Sequence, residues 1–490
     1  MKNSTPTIND VLPGHLGLFY GGQWHLPKDG TTVSTINPAN GESLANLANA
    51  GTQDTLEAVA AARKAFPAWA ATPALERARL LREAAAVLRI HASELAMIDA
   101  FNTGNPVAEM VRDANIAATG IEFFAGLVTQ IKGENLPMGD GVLNYTRREP
   151  LGVVARIVAY NHPLMFAAMK IGAPLAAGNT VVIKPPEQAP LSSLRMAELI
   201  GGIFPPGVLN VIPGGIECGQ ALTSHPGVDK ITLIGSVPTG KAIMRTAADT
   251  LKPVLLELGG KNALIVYPDA DLDKVVDGAV RGMNFTWAGQ SCGSTSRIFL
   301  HESIYDEVLK RIVVRIGEKH KPGIPTDFST TMGPLVSKSQ YEKVLKYIEY
   351  GKEDGATLLL GGRRSNDPAL AKGFFIEPTV FGDVTVNMRI AKEEIFGPVL
   401  SALRWKDEDS LFEAVNGVEY GLTASIWTRD LSTAHRASAR VQAGYVWINN
   451  SSQHFLGAPF GGYKQSGIGR EECFEELLEF TQIKNINVTL

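Results

Sequence analysis

Short runs of Val, Ile and Leu recur through the middle of the chain, separated by segments long enough for a helix: Val153–Ala159, Thr180–Ile183, Val208–Ile212, Lys230–Ile234, Val254–Leu258 and Ala263–Val266. They stay apolar instead of alternating, which suits strands buried on both faces of a parallel sheet. The stretch from Val153 to Val266 therefore predicts a doubly wound α/β domain. Similar alternation from about Asp269 to Asn449, with runs at Thr295–Leu300, Thr357–Leu360 and Tyr445–Ile448, predicts a second α/β unit. No fixed-period repeat links the two.

Upstream the period changes. Thr52 and Asp54 offer an N-cap, and Leu56, Val59, Ala60 and Arg63 follow at helical spacing. Leu81, Ala84, Leu88, Leu95 and Ile98 then recur every three or four residues among charged positions, predicting one longer surface helix packed on a core. Two further pieces, Asn144–Glu149 and Ile483–Leu490, are polar or alternating and strand-like. Such strands pair with another subunit or finish an internal sheet, and pattern alone leaves both open.

Composition narrows the picture. At roughly 150 residues per domain, 490 residues make two to four units. With 46 Lys+Arg against 50 Asp+Glu, no global positive field exists to hold nucleic acid or an anionic membrane. Met1 to Asp10 lacks the apolar core of a secretory signal, and Leu199–Ile216 is broken by Pro205, Pro206 and Pro213, a poor membrane helix. Cys218, Cys292 and Cys473 make neither a disulfide framework nor a CxxC zinc spacing, and the nine histidines show no paired ligand spacing, so no metal is expected. Together these features predict a cytoplasmic protein.

Four segments carry candidate chemistry. Cys292 lies among small and polar residues in Gly289-Gln-Ser-Cys-Gly-Ser294, where a thiol is approachable; a structural cysteine is the equal alternative. Cys473 sits in an acidic run that would raise its pKa, and Cys218 at a helix start. Glu257 ends an apolar strand before a glycine pair, where ligands bind in open α/β sheets or where a Glu merely caps a turn. Asn161 ends another strand and has an amide suited to an oxyanion, although Asn also favours turns. Lys184-Pro-Pro-Glu187 and Gly235-Ser236 hint at nucleotide binding, the latter opening a helix. The turn Pro213–Gly219 does not match G-x-G-x-x-G.

In order along the chain, Asn161 with Pro163, Lys184-Pro-x-Glu187, Gly235-Ser236, Glu257-Leu-Gly-Gly-Lys261, Gly289-Gln-x-Cys292, Glu393-Glu-Ile-Phe-Gly-Pro-Val399 and Pro459-Phe-Gly-Gly-Tyr-Lys-x-Ser-Gly-x-Gly-Arg-Glu471 resemble the aldehyde dehydrogenase superfamily, from about Phe19 to the C-terminus. The resemblance implies an α/β fold with a Rossmann-type cofactor domain (1–127 and 151–258), a catalytic domain (259–475) and a small β oligomerisation arm (128–150 and 476–490) of a homodimer or homotetramer.

It also implies NAD-dependent oxidation of a small-molecule aldehyde to an acid, with Cys292 as nucleophile, Asn161 on the oxyanion and Glu257 as the base for the deacylating water. A base there favours hydrolysis over transfer to coenzyme A. Lys184, Pro186 and Glu187 would hold the adenosine ribose, and Glu187 favours NAD while leaving NADP possible. Gly235 and Ser236 would meet the pyrophosphate, Glu394 would bind the nicotinamide ribose and Phe396 would border the nicotinamide, with Val158, Ala159 and Tyr160 lining the strand end beneath it; Gly214, Leu258 and Gly259 are further cofactor-binding positions. Tyr160 departs from the commoner Trp, and the Gly214–Gly219 turn is one residue shorter than in many relatives.

The matching tunnel positions are His162, Met165, Phe166, Met169, Thr286, Trp287, Ser291, Gly293, Ser451, Ser452, His454 and Phe460. Imidazoles and hydroxyls among aromatic walls imply a polar-substituted, aromatic or anionic aldehyde. The alternatives are a catabolic semialdehyde dehydrogenase, which would want an arginine clamp in the tunnel, and a non-catalytic binding protein that keeps the fold.

Overall fold

The computed structural model describes residues 7–489, so residues 1–6 of the expected signal-free start and Leu490 of the tail lie outside the described residues. The apolar runs form two sheets. The first has eight strands in the spatial order Gln23–His25, Leu18–Tyr20, Leu209–Val211, Thr180–Lys184, Val153–Ile157, Lys230–Ile234, Val254–Glu257 and Gly467–Ile468. Its five central strands are parallel and lie third, second, first, fourth, fifth in chain order. The winding reverses between Val153–Ile157 and Lys230–Ile234, which opens a crevice at their carboxyl ends.

The second sheet has seven strands in the order Thr357–Leu360, Thr379–Gly382, Val399–Trp405, Arg297–His301, Ala263–Val266, Thr423–Trp427 and Tyr445–Ile448. All pairs are parallel except that of Thr357–Leu360. The run Ala263–Val266, read above as the end of the first unit, belongs here. An apolar run reports burial on both faces but not which neighbours bury it, and the chain crosses between sheets in the five residues before it.

The helix Thr52–Ala71 starts one residue earlier than its cap signal. Gly51 is the N-cap, and Asp54 accepts the Gly51 N–H at 3.0 Å and the Lys28 N–H at 3.0 Å. Because Asp54 and Thr55 are thereby drawn inward, the buried face is Ala58, Val59, Ala62 and Trp69, while Leu56 stays 40% exposed. The predicted longer helix divides at His91 into Ala74–Ile90 and Ala92–Thr103. All five of its marker residues are buried.

The strand-like pieces pair with each other. Val142–Pro150 lies antiparallel to Thr481–Thr489 over nine residue pairs, with Asn135–Leu136 on its other edge. The Thr481–Thr489 strand ends this three-stranded sheet and leaves one edge without a partner among the described residues. No described helix is long and apolar enough to cross a membrane.

Candidate active site

Glu257 is the last residue of its strand, and the next residues carry the chain across to the second sheet. Cys292 follows the short helical turn Phe285–Trp287. The two segments interlock at the glycine pair between them. A Cβ on Gly260 would stand 2.6 Å from the Cys292 carbonyl oxygen, and one on Gly259 would collide with the Glu394 carboxylate. Only glycine permits both approaches. Asn262 fixes the loop that carries Cys292: its Nδ2 donates to the Cys292 carbonyl at 2.7 Å and to the Ser294 carbonyl at 3.0 Å, and its Oδ1 accepts the Thr423 N–H at 3.0 Å. Glu394 accepts the Gly260 N–H at 2.9 Å.

The three thiols divide by access. Cys292 is half-buried, whereas Cys218 and Cys473 are fully buried. Burial, then the charges of Glu257 and Glu394, push the Cys292 thiol up. Burial also raises Cys473, to about 12, with the acidic run only adding to it. Glu257 is 3% exposed and neither of its carboxylate oxygens has a protein partner. Burial and the nearby Glu471 raise its pKa well above the ordinary value, against the pull of Lys170.

Behind Glu257 lies a buried charge cluster that sequence reasoning missed. The Lys170 ammonium is 2.9 Å from Glu471, and Arg156 is 3.5 Å from Glu471 and 3.6 Å from Glu476. All four side chains are almost wholly buried. Glu471 and Glu476 stand in plain view in the acidic run, but only the tertiary fold brings Lys170 and Arg156 to them.

Asn161 lies between the strand Val153–Ile157 and the helix Pro163–Met169. Its backbone carbonyl accepts the Asn105 Nδ2–H at 2.9 Å, and its side-chain amide has no protein partner among the described residues. His162, the N-cap of that helix, is set between Phe166 and Trp287 with ring centroids 5.3 and 5.1 Å away. His454 packs on Phe460 at 4.6 Å. Met165 and Ser291 are partly exposed, and nothing lies within 4.0 Å of the Gly293 Cβ direction but the Ser291 and Thr423 side chains at that limit. Ser452 holds a left-handed backbone (φ 58°). Among the tunnel positions Met169 and Ser451 are almost wholly buried: Met169 packs against Gly120, and Ser451 bonds Ser425.

On the other side of the crevice, Lys184 ends its strand with its ammonium 3.8 Å from Glu187, whose side chain is half exposed. Pro186 is buried between them, and Gly214 packs on Cys218 at the start of the helix Ile216–Ser224. The Gly235 N–H donates to the Glu257 carbonyl at 2.9 Å, and Ser236 caps the helix Val237–Ala248. Val158 and Ala159 follow the Val153–Ile157 strand to Tyr160, which meets Phe396 edge-on at 5.9 Å. Phe396 is held in a left-handed conformation (φ 57°) by Gln340, which donates to its carbonyl at 2.7 Å. Leu258, buried, packs on Gly240.

A family model described as the aldehyde dehydrogenase family matches residues 24–486. The chain is 54% identical over 496 aligned residues to the aldehyde dehydrogenase tropH of Talaromyces stipitatus, covering 100% of this chain and 96% of that protein. The NAD+ complex of an aldehyde dehydrogenase from Bacillus cereus superposes with a TM-score of 0.95 at 41% identity, covering 100% and 99% of the two chains. A mutant of the P. syringae indole-3-acetaldehyde dehydrogenase AldA, in complex with NAD+ and IAA, gives a TM-score of 0.95 at 36% identity over 99% and 98%. With its two interlocked sheets, its cysteine and its buried glutamate, the chain belongs to the aldehyde dehydrogenase family.

Proposed function

We propose that this protein oxidises an aldehyde to a carboxylic acid with NAD, through a covalent intermediate on Cys292. The observation that carries the reading is Glu257: a buried carboxyl with both oxygens unbonded, near enough to the half-buried Cys292 for its charge to raise that thiol's pKa. Such a group costs stability unless a reaction uses it.

The residues fit the cofactor. Lys184 and Glu187 lie at the crevice with Glu187 open to accept from ribose hydroxyls, and Ser236 starts a helix of 12 residues whose N–H groups suit a pyrophosphate. Glu394 and Phe396 would flank the nicotinamide ribose. NAD+ is bound in the related B. cereus and P. syringae structures, and the carboxylate of Glu187 disfavours a 2′-phosphate without forbidding NADP. When bound, NAD accepts hydride from the carbon attached to Cys292.

The chain's own groups do the rest. The Cys292 thiol gives its proton to Glu257, which passes it on to solvent, and the sulfur bonds the aldehyde carbon, turning the carbonyl into an oxyanion. The Asn161 amide and the Cys292 backbone N–H donate to that oxyanion; losing one such donor typically costs roughly 10²–10³ in rate. After oxidation, Glu257 takes a proton from water, the hydroxide attacks the thioester, and Cys292 leaves as the acid forms.

The tunnel's imidazoles and hydroxyls between aromatic walls suit a polar-substituted, aromatic or anionic aldehyde, and no arginine is among its positions to clamp a semialdehyde carboxylate. We assign residues 1–127 and 151–258 to cofactor binding, 259–475 to catalysis, and 128–150 with 476–490 to an arm joining a homodimer or homotetramer. Three unpaired cysteines fit a reducing cytoplasm. The test is NADH absorbance on mixing the protein with NAD and an aldehyde panel. NADH formation abolished by Cys292→Ala is the expected result; an undiminished rate in that variant would sink the mechanism.

A further inference from the structure

Two tunnel histidines share an arrangement beyond the general mechanism. His162 sets Nδ1 2.6 Å from Asp113, and His454 sets Nδ1 3.2 Å from Glu472. A carboxylate at Nδ1 accepts a hydrogen bond, so the proton of each neutral ring resides there and Nε2 is left as an acceptor. Neither Nε2 has a protein partner among the described residues. The Trp287 Nε1–H and the Ser452 Oγ are buried and equally unpartnered. The buried indole N–H and hydroxyl are costly to leave unpaired, and the two Nε2 atoms beside them are free to accept from a ligand.

The surroundings define that ligand. His162 is flanked by Phe166 and Trp287, and His454 stacks on Tyr445 at 5.6 Å and touches Phe460. These walls fit a flat ring. Carboxylates back both histidines: Glu472 stands behind His454 with Lys170 acting on it, and Asp113 stands behind His162, with Asp99 and Glu109 acting on the same corner against Arg112. Burial lifts Asp99 to about 7 and raises Glu109, so that corner already bears charge reluctantly. A substrate carboxylate would meet repulsion, whereas a neutral hydroxyl would donate to Nε2.

We propose that the His162–Asp113 and His454–Glu472 pairs select a hydroxylated aromatic aldehyde, by accepting hydrogen bonds from its ring hydroxyls. The proposal rests on the aldehyde dehydrogenase reading above. Asp113 and Glu472 are positioning residues that act through the imidazoles.

The test compares kcat/KM for benzaldehyde and its para-hydroxy, para-methoxy and para-carboxy derivatives, with NAD. The parent enzyme is expected to favour the hydroxy over the methoxy compound, which cannot donate, by about tenfold or more. His162→Phe and, at the more exposed tunnel mouth, His454→Phe should each reduce that ratio by at least threefold. Asp113→Asn, whose amide can donate to Nδ1 and shift the ring proton to Nε2, should narrow it too, which a merely structural role would not do. A tenfold preference for the carboxy compound, or a hydroxy-to-methoxy ratio unmoved in both histidine variants, overturns the proposal. NADH formed without any hydroxyl preference overturns it alone; no NADH from any aldehyde overturns the reaction assignment with it.

Discussion

Gly260 shows how closely the two halves of the site depend on one missing side chain. Its hydrogen stands where a methyl would press the Cys292 carbonyl and the Asn262 amide that clamps it. Gly260→Ala should therefore leave the fold largely intact but displace the nucleophile, lowering kcat by about 10²-fold or more for a shift near an ångström; circular dichroism beside the NADH assay separates the two effects. Cys292 itself is the reachable thiol, because Cys218 and Cys473 are buried. Iodoacetamide in the absence of cofactor should label Cys292 first, and slowly at neutral pH, since burial and two carboxylates raise its pKa. Labelling should accelerate as pH rises, as mass spectrometry of the peptides would record. Cys292 and Glu257 were legible as candidates from their neighbours in sequence; their protonation states were not, because burial and charges from distant segments set them.

Among the elements, the strand Val254–Glu257 and the short helix Phe474–Glu479 meet across a charge cluster. Glu257 has a raised pKa, so it is a neutral acid at low pH and becomes a base only as pH climbs through a value above the ordinary carboxylate range. Hydrolysis should rise with pH accordingly. Lys170 lowers that pKa and Glu471 raises it, so Lys170→Met should move the limb to higher pH and Glu471→Gln to lower pH, read from kcat profiles where deacylation limits turnover. Arg156 spans Glu471 and Glu476 deep in the protein. Arg156→Met should cost about 3 kcal/mol by leaving the buried Glu476 without its cation, while Glu471 keeps Lys170, measured by denaturant unfolding. Asn161 has its own support in Asn105, 56 residues earlier in the chain, which no local pattern indicated.

At the scale of the whole molecule, the antiparallel pair Val142–Pro150 and Thr481–Thr489 joins the middle of the chain to its end. Truncation before Thr481 would strip Val142–Pro150 of nine paired residues and expose its ladder. If this sheet is the subunit arm, the truncated protein should show a smaller mass than the full chain in size-exclusion chromatography with light scattering. Sequence pattern identified both strands yet left their partners open, and it credited Ala263–Val266 to the wrong sheet for the same reason: the run states how much is buried, not by what.

By itself the sequence determined where apolar strands and helices lie, that a glycine pair closely follows Glu257, and which cysteine and carboxylate carry the family's motifs. Those are local properties, set by side-chain period and backbone sterics within a few residues. Tertiary structure alone decided that the longer helix breaks at His91, that Leu56 faces solvent, that Ser451 and Met169 are almost wholly buried, and that Lys170, Arg156, Asp113 and Glu472 stand behind Glu257, His162 and His454. Burial and electrostatics act through space. Glu471, more than two hundred positions along the chain, thus raises the pKa of Glu257, while Asp113 and Glu472 reach the tunnel histidines from separate elements.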